Sequence, residues 1–450
     1  MSGSDPFFRL LGIRAAEVPS QPRMPGPLFW MVVATNVFFF AGNVYLSPLA
    51  RLFNAGKWVP LALLFVVAQA LLNKRRAPDL PVIMVVPFTL LLIIASLASW
   101  QGVDAKYSMM AILTVVLTVI ASYSVSGLVV ATDSRRAFFE LVGNIGRVLI
   151  VVATLMAAAR INLGRGMGLT GWVDNPNTLG AMLAPGMIVF MAGCIERRPG
   201  WKFWHAFFFV LGFALIWATN ARATIAWIGF SGIAFWIYRR GVAISSIGLM
   251  AVLVILIGWW QPIRDFAVDK LGLNWSMRDN GISPLSGREE VWRIGWHLFQ
   301  ERPVLGYGIG TSQDLLKIES WRFQRFQGGH FHSSYIMVLV ETGIFGFLSF
   351  VTLMFATLSR GLADTLRTRG LARENWPLAA LPWAMVIGGM GHAIFESWLL
   401  AAGNSNSLLF WTCVWMIHHQ SQVPVRAVRK PARPPVQGQT PRRPGALPTQ

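Results

Sequence analysis

Arginines placed beside turns, and one histidine at the head of a hydrophobic run, interrupt a chain that is otherwise apolar. Arg222 follows Thr219-Asn220-Ala221 at a tight turn between two apolar runs, flanked by Trp217 and Trp227. An arginine at membrane depth is costly unless it faces a polar cavity or an anion. Arg288 begins REEVWRIGWHLFQE. Helical geometry sets it beside Trp292, Gly295 and Phe299, away from Glu289, Glu290, Arg293, His297, Gln300 and Glu301. A cation turned toward a low-dielectric surface needs an anionic partner such as phosphate; the plain alternative is a capping or snorkelling arginine. His332 precedes an apolar run, with Ser333, Ser334 and Tyr335 making a polar helix start and His330 close by. An imidazole at a membrane edge can exchange protons near neutral pH, which suits a general base or a phosphate contact; a structural histidine is the competing reading.

Polar groups elsewhere add to this set. Asp174-Asn175-Pro176-Asn177 leads into another apolar run. It can cap that helix and present amide donors outward, or be a simple Asx turn. Glu396, with His392 and Ser397, closes a later run, and Asn404-Ser405-Asn406 starts the last one. Glu396 is a partner for an arginine.

The elements that must position these groups are membrane spans. The chain has 450 residues, 54% hydrophobic and 13% charged, where a soluble domain carries about 25% charge. Runs long enough to cross a bilayer recur throughout. We expect an all-α, polytopic transmembrane fold of about twelve spans: 28–47, 58–73, 81–100, 109–130, 143–160, 178–195, 203–219, 222–238, 242–260, 333–358, 378–396 and 405–419. Lys and Arg concentrate in alternate connections (Lys74 to Arg76, Arg135 and Arg136, Arg197 to Lys202, Arg239 and Arg240, Arg360 to Arg373). By the positive-inside rule both termini are then cytoplasmic and 261–332 lies on the outer side. With that orientation Asn177, Arg222, Arg288, His332 and Glu396 all reach one face. The organisation is an N-terminal segment 1–27, spans one to nine within 28–260, a large outer loop 261–332 with short amphipathic helices, spans ten to twelve within 333–420, and a Pro- and Arg-rich tail 421–450 without core-forming composition.

The net charge of +19 falls in clusters between spans, which fits topology and anionic membrane lipids rather than nucleic acid. Cys194 and Cys413 both sit in apolar runs and suggest neither metal nor a disulfide framework. No metal site and no cofactor is expected. Met1 to Pro27 is polar and Pro-rich, so the first apolar run reads as a retained span. In the loop, Ser286-Gly-Arg-Glu289 has capping-box spacing for a helix to about Glu301. Gly306-Tyr-Gly308-Ile-Gly310 lacks the flanking strand that a dinucleotide motif needs, and reads as a turn that lets the chain approach another element closely.

His332-Ser333, nine residues, then Gly343-Ile-Phe-Gly346 resembles the signature of the O-antigen ligase and polymerase superfamily. The resemblance extends to Ser-Gly-Arg288 with Trp292 a turn later, to Arg302-Pro303 with the glycines that follow, to Arg222 and to the Asn175–Asn177 loop. It implies a membrane glycosyltransferase, metal-independent and inverting, that moves a glycan from an undecaprenyl diphosphate carrier to a lipid or glycan acceptor outside the cytoplasmic membrane. Other polysaccharide-assembly proteins are its expected partners. It implies Arg222, Arg288 and His332 as catalytic residues, with Asn175, Asn177, Trp292, Ser333 and Glu396 around the substrate. The alternative from another class is a transporter or lipid flippase, which would favour charges at mid-bilayer and inverted repeats.

Overall fold

In lipid, an apolar run satisfies its backbone by coiling into helix. The computed structural model describes residues 23–43, 47–75, 78–164, 168–195, 201–240, 288–322, 329–368, 376–401 and 404–422. Among the described residues it is all-helical, without strands. The helices are α1 (Gly26–Ala41), α2 (Ser47–Gly56), α3 (Trp58–Leu72), α4 (Val82–Trp100), α5 (Ala105–Ala131), α6 (Arg135–Ala158), α7 (Pro176–Ile195), α8 (Trp201–Thr219) and α9 (Arg222–Arg240). They continue with α10 (Arg288–Glu301), α11 (Ser312–Ile318), α12 (Ser334–Thr368), α13 (Trp376–His392) and α14 (Ser405–Gln420). Among the described residues seven stretches are long and apolar enough to cross a membrane: Ala50–Leu72, Val82–Trp100, Ala105–Ala131, Arg135–Ala158, Pro176–Ile195, Lys202–Thr219 and Ser334–Asp364. Gly26–Ala41 and Leu378–His392 are shorter apolar helices. The expected span 242–260, the Ser286 cap and the tail from 423 lie outside the described residues.

Several boundaries differ from expectation. The run expected at 143–160 begins at Arg135, because its charges are accommodated. Arg136 pairs with Glu140 one turn on, and the Arg147 guanidinium lies over the Phe190 and Phe208 rings. The helix expected at 333–358 continues to Thr368, and α13 stops at His392, leaving Glu396 in a loop. The short helix α2 falls in a connection where no element was expected.

Packing brings the site-bearing elements together. Helix α9 lies along α13, α7 along α8, α12 along α4 and α14 along α5. At the α9–α13 contact a Cβ on Gly388 would meet the Ser231 hydroxyl and the Trp227 carbonyl. Small residues let helix backbones approach this closely where lipid supplies no hydrophobic drive.

Helix α12 is broken at Gly343, with φ 62 and ψ −168. The break exposes backbone carbonyls, and the glycine loop fills the gap. Tyr307 N–H donates to the Val340 carbonyl at 3.1 Å, Gly308 N–H to the Glu341 carbonyl at 2.8 Å, and Ile344 N–H to the Pro303 carbonyl at 2.8 Å. Gly306 and Gly308 have positive φ of 74 and 97, which glycine takes without strain. A Cβ on Gly343 would lie 2.3 Å from the Val304 carbonyl oxygen. Gly343→Ala should therefore lower stability by about 2 kcal/mol or more, seen as earlier thermal unfolding in detergent. Gly26→Ala, where a Cβ meets nothing, should leave unfolding within error of the wild type.

Candidate active site

The site is organised by one carboxylate. Glu396 lies in the loop after α13, its side chain 18% exposed. Its Oε1 accepts from Arg288 Nη2 at 2.7 Å and from the Asn177 side-chain amide at 3.2 Å. Its Oε2 meets His332 Nδ1 at 3.2 Å. Three groups separated in the chain thus meet on two oxygen atoms. Burial by itself pushes a carboxyl upward, but the His332 contact and the Arg288 charge outweigh it and hold Glu396 below its ordinary 4.5. An ionised carboxylate here acts as an orienting anion.

Each contributor is held by local structure. Helix α7 starts at Pro176, a favoured first helical position. Asn175 caps it, its Oδ1 accepting from Asn177 N–H at 2.8 Å. That cap aims the Asn177 amide at Glu396, while Asn175 itself stays exposed. Helix α10 buries Val291, Ile294, Gly295 and Leu298. Arg288 sits at its first residue, 15% exposed, turned to the bundle. Gly295 lets the helix come close to Phe331 and Ile336, and the Trp292 indole donates to the Phe331 carbonyl at 3.0 Å. That bond fixes the strand of chain leading into His332. Trp292 also packs on Phe395, so it acts here as a brace.

His332 takes a left-handed backbone, φ 49, uncommon for a residue with a Cβ and tolerated where the surroundings dictate it. The surroundings do so through the two serines that follow. Ser333 N–H donates to the Ser397 hydroxyl at 3.0 Å. The Ser334 hydroxyl donates to the Glu396 carbonyl at 2.8 Å and accepts from Trp398 N–H at 3.0 Å. Trp398 in turn donates its indole N–H to His392 Nδ1 at 2.7 Å and stacks on Trp227, ring centres 5.1 Å apart. The loop carrying Glu396 is thereby clamped between α12 and α9.

Arg222 opens α9, its N–H reaching back to the Asn220 carbonyl at 3.0 Å across a left-handed Asn220, φ 56. It is close enough to Arg288 to oppose its charge. Arg288 is pulled below an ordinary arginine by burial first, supported by Glu396, and lowered again by Arg222. A guanidinium fork matches phosphate oxygens and stays charged, so two of them within electrostatic range of each other have the chemistry to receive an anion. Among the described residues no group of three His, Cys, Asp or Glu side chains is arranged to hold a metal ion.

A family model described as O-antigen ligase matches residues 206–351. This stretch belongs to the O-antigen ligase superfamily. No curated protein matches the chain. The O-antigen ligase match spans Arg222, Arg288, Trp292, His332, Ser333 and the Gly343 break, and leaves Asn175, Asn177 and Glu396 outside. The apolar helices make the chain a membrane protein, and the matched stretch is similar to a glycosyltransferase-type family. The structure unites Arg288, His332, Asn177 and Glu396 by direct contact and sets Arg222 in electrostatic range. It gives Ser333 and Trp292 supporting positions, and holds Asn175 one step away as a cap. Sequence reasoning missed Trp398, whose indole cannot be told from any other apolar residue in that run. It also missed Glu341, although a glutamate inside an apolar span is itself a signal.

Proposed function

We propose that the protein is an envelope glycosyltransferase that takes a glycan from a lipid diphosphate carrier, undecaprenyl diphosphate being the expected one, and passes it to an acceptor hydroxyl on the periplasmic side. The observation that carries the reading is the meeting of Arg288, His332 and Asn177 on Glu396 with Arg222 alongside. The chemistry follows from these groups. Arg222 and Arg288 hold the diphosphate and stabilise the charge that grows on it as the anomeric C–O bond breaks. The acceptor oxygen bonds to the anomeric carbon from the opposite side, inverting its configuration. Its proton passes to His332, and the lipid diphosphate leaves. Contact of Nδ1 with Glu396 fixes the ring, so that Nε2 is the nitrogen that takes the proton. Both termini lie in the cytoplasm, and neither metal nor nucleotide takes part. Within this class the reading leans to a polymerase of surface polysaccharide over a ligase.

In cells, Arg222→Ala and His332→Ala should each remove polymer or ligated glycan, roughly a hundredfold or more, with membrane insertion unchanged by immunoblot. Wild-type product from both would end the proposal.

A further inference from the structure

A hollow of mixed apolar and polar lining adjoins the Glu396 cluster. It encloses about 390 Å³, within the roughly 300–1,000 Å³ of small-ligand pockets. Arg222, Arg288, Asn177, His332 and Glu396 are all outside its lining, which comes next to the cluster through Ser397, the neighbour of Glu396, and His330, two residues before His332. Ser397 is next to Glu396, and its hydroxyl receives the Ser333 N–H at 3.0 Å. Two aromatic rings, Trp58 at the start of α3 and Tyr107 on α5, line the hollow. Gln313 and His330 meet at 3.3 Å on another wall. Glu341 lies fully buried at its inner end, held by the Ser312 hydroxyl and by Ser312 N–H at 3.2 Å.

This lining suits a ligand with an apolar face and a polar edge. Aromatic rings cover the first; an amide, an imidazole and a carboxylate bond the second. A sugar ring has both. The two oxygens of Glu396 also divide the site, with Arg288 and Asn177 on Oε1 and His332 on Oε2. A diphosphate on the arginines occupies the first side and leaves the hollow to the other. We infer that this pocket binds the acceptor saccharide, seating its hydroxyl against His332. The inference rests on the transferase reading above and adds where the acceptor sits.

The test uses purified full-length protein in detergent, with two ligands measured separately by equilibrium dialysis: tritium-labelled, delipidated surface glycan from the source organism, and farnesyl diphosphate as a sugarless carrier. Thr114→Trp fills the hollow from α5 and should weaken glycan binding by at least about tenfold. Gln313→Ala, on an exposed residue, should weaken it about three- to tenfold, the worth of one hydrogen bond. Neither should move farnesyl diphosphate affinity more than about twofold. Should Thr114→Trp not fold, shown by lost diphosphate binding, Gln313→Ala and Trp58→Ala decide. Glycan affinity at the wild-type level in the folded variants would overturn the inference, as would weakened binding of intact lipid-linked glycan alone, which would give the pocket to the donor. Diphosphate affinity indifferent to Arg288→Ala would sink the transferase reading by itself, whatever the pocket variants do.

Discussion

Arg288→Ala should lower glycan transfer by roughly a hundred- to a thousandfold, the usual worth of one fixed group that stabilises transition-state charge. The effect is large because this arginine serves two partners. It bonds Glu396 at 2.7 Å and, with Arg222, forms the proposed diphosphate cradle. Its loss would leave Glu396 half-buried beside His332 with one cation fewer. Arg288→Lys should recover only a small part of the activity, since a single ammonium cannot engage a carboxylate and a phosphate in the fork geometry. Initial rates over a range of donor concentration check this. Activity within threefold of wild type in the alanine variant would remove Arg288 from the mechanism.

Glu396→Gln should cost about 3 kcal/mol of stability and roughly a hundredfold in turnover. The substitution keeps shape but replaces one acceptor oxygen by an amide donor. Arg288 and Asn177 both donate to Oε1, and His332 faces Oε2. Whichever way the amide turns, a donor then faces a donor, or the imidazole loses its anion. Turnover should fall more than donor binding, because the arginines remain. The pH dependence separates the charge from the shape. The folded Glu396 titrates below its ordinary 4.5, so its contribution is present above that pH and is lost as pH falls through the folded value. Wild-type unfolding should thus shift to lower temperature as acid is added below about pH 4.5, and the glutamine variant should show less of that shift. Equal slopes in the two proteins would deny Glu396 its role as the ionised centre.

How much of this could be read from residues alone depended on the distance over which each feature is encoded. The buried side of α10 is set by residues three and four apart, so the unusual placement of Arg288 was legible. The Asn175 cap is equally local. That Glu396 pairs with an arginine was legible; that Asn177, Arg288 and His332 all meet on it was not, because they lie 219, 108 and 64 residues away. Only the packing of α7, α10, α12 and α13 brings them together. The break at Gly343 was hidden for a different reason. Apolar residues continue across it at helical spacing, and nothing local says that Tyr307 and Gly308 will take over the orphaned carbonyls. The early start of α6 was obscured by Arg136 and Glu140, which offset each other one turn apart in a way that hydropathy does not count.

The most direct test is a balance of bonds in a closed system. Purified wild-type protein in detergent, given lipid diphosphate-linked glycan and acceptor, should release lipid diphosphate in step with new inverted glycosidic bonds. Arg288→Ala and His332→Ala should release neither. Glycoside formation at wild-type rate by both variants, or no bond formed by the wild type while the donor stays bound, would contradict the account.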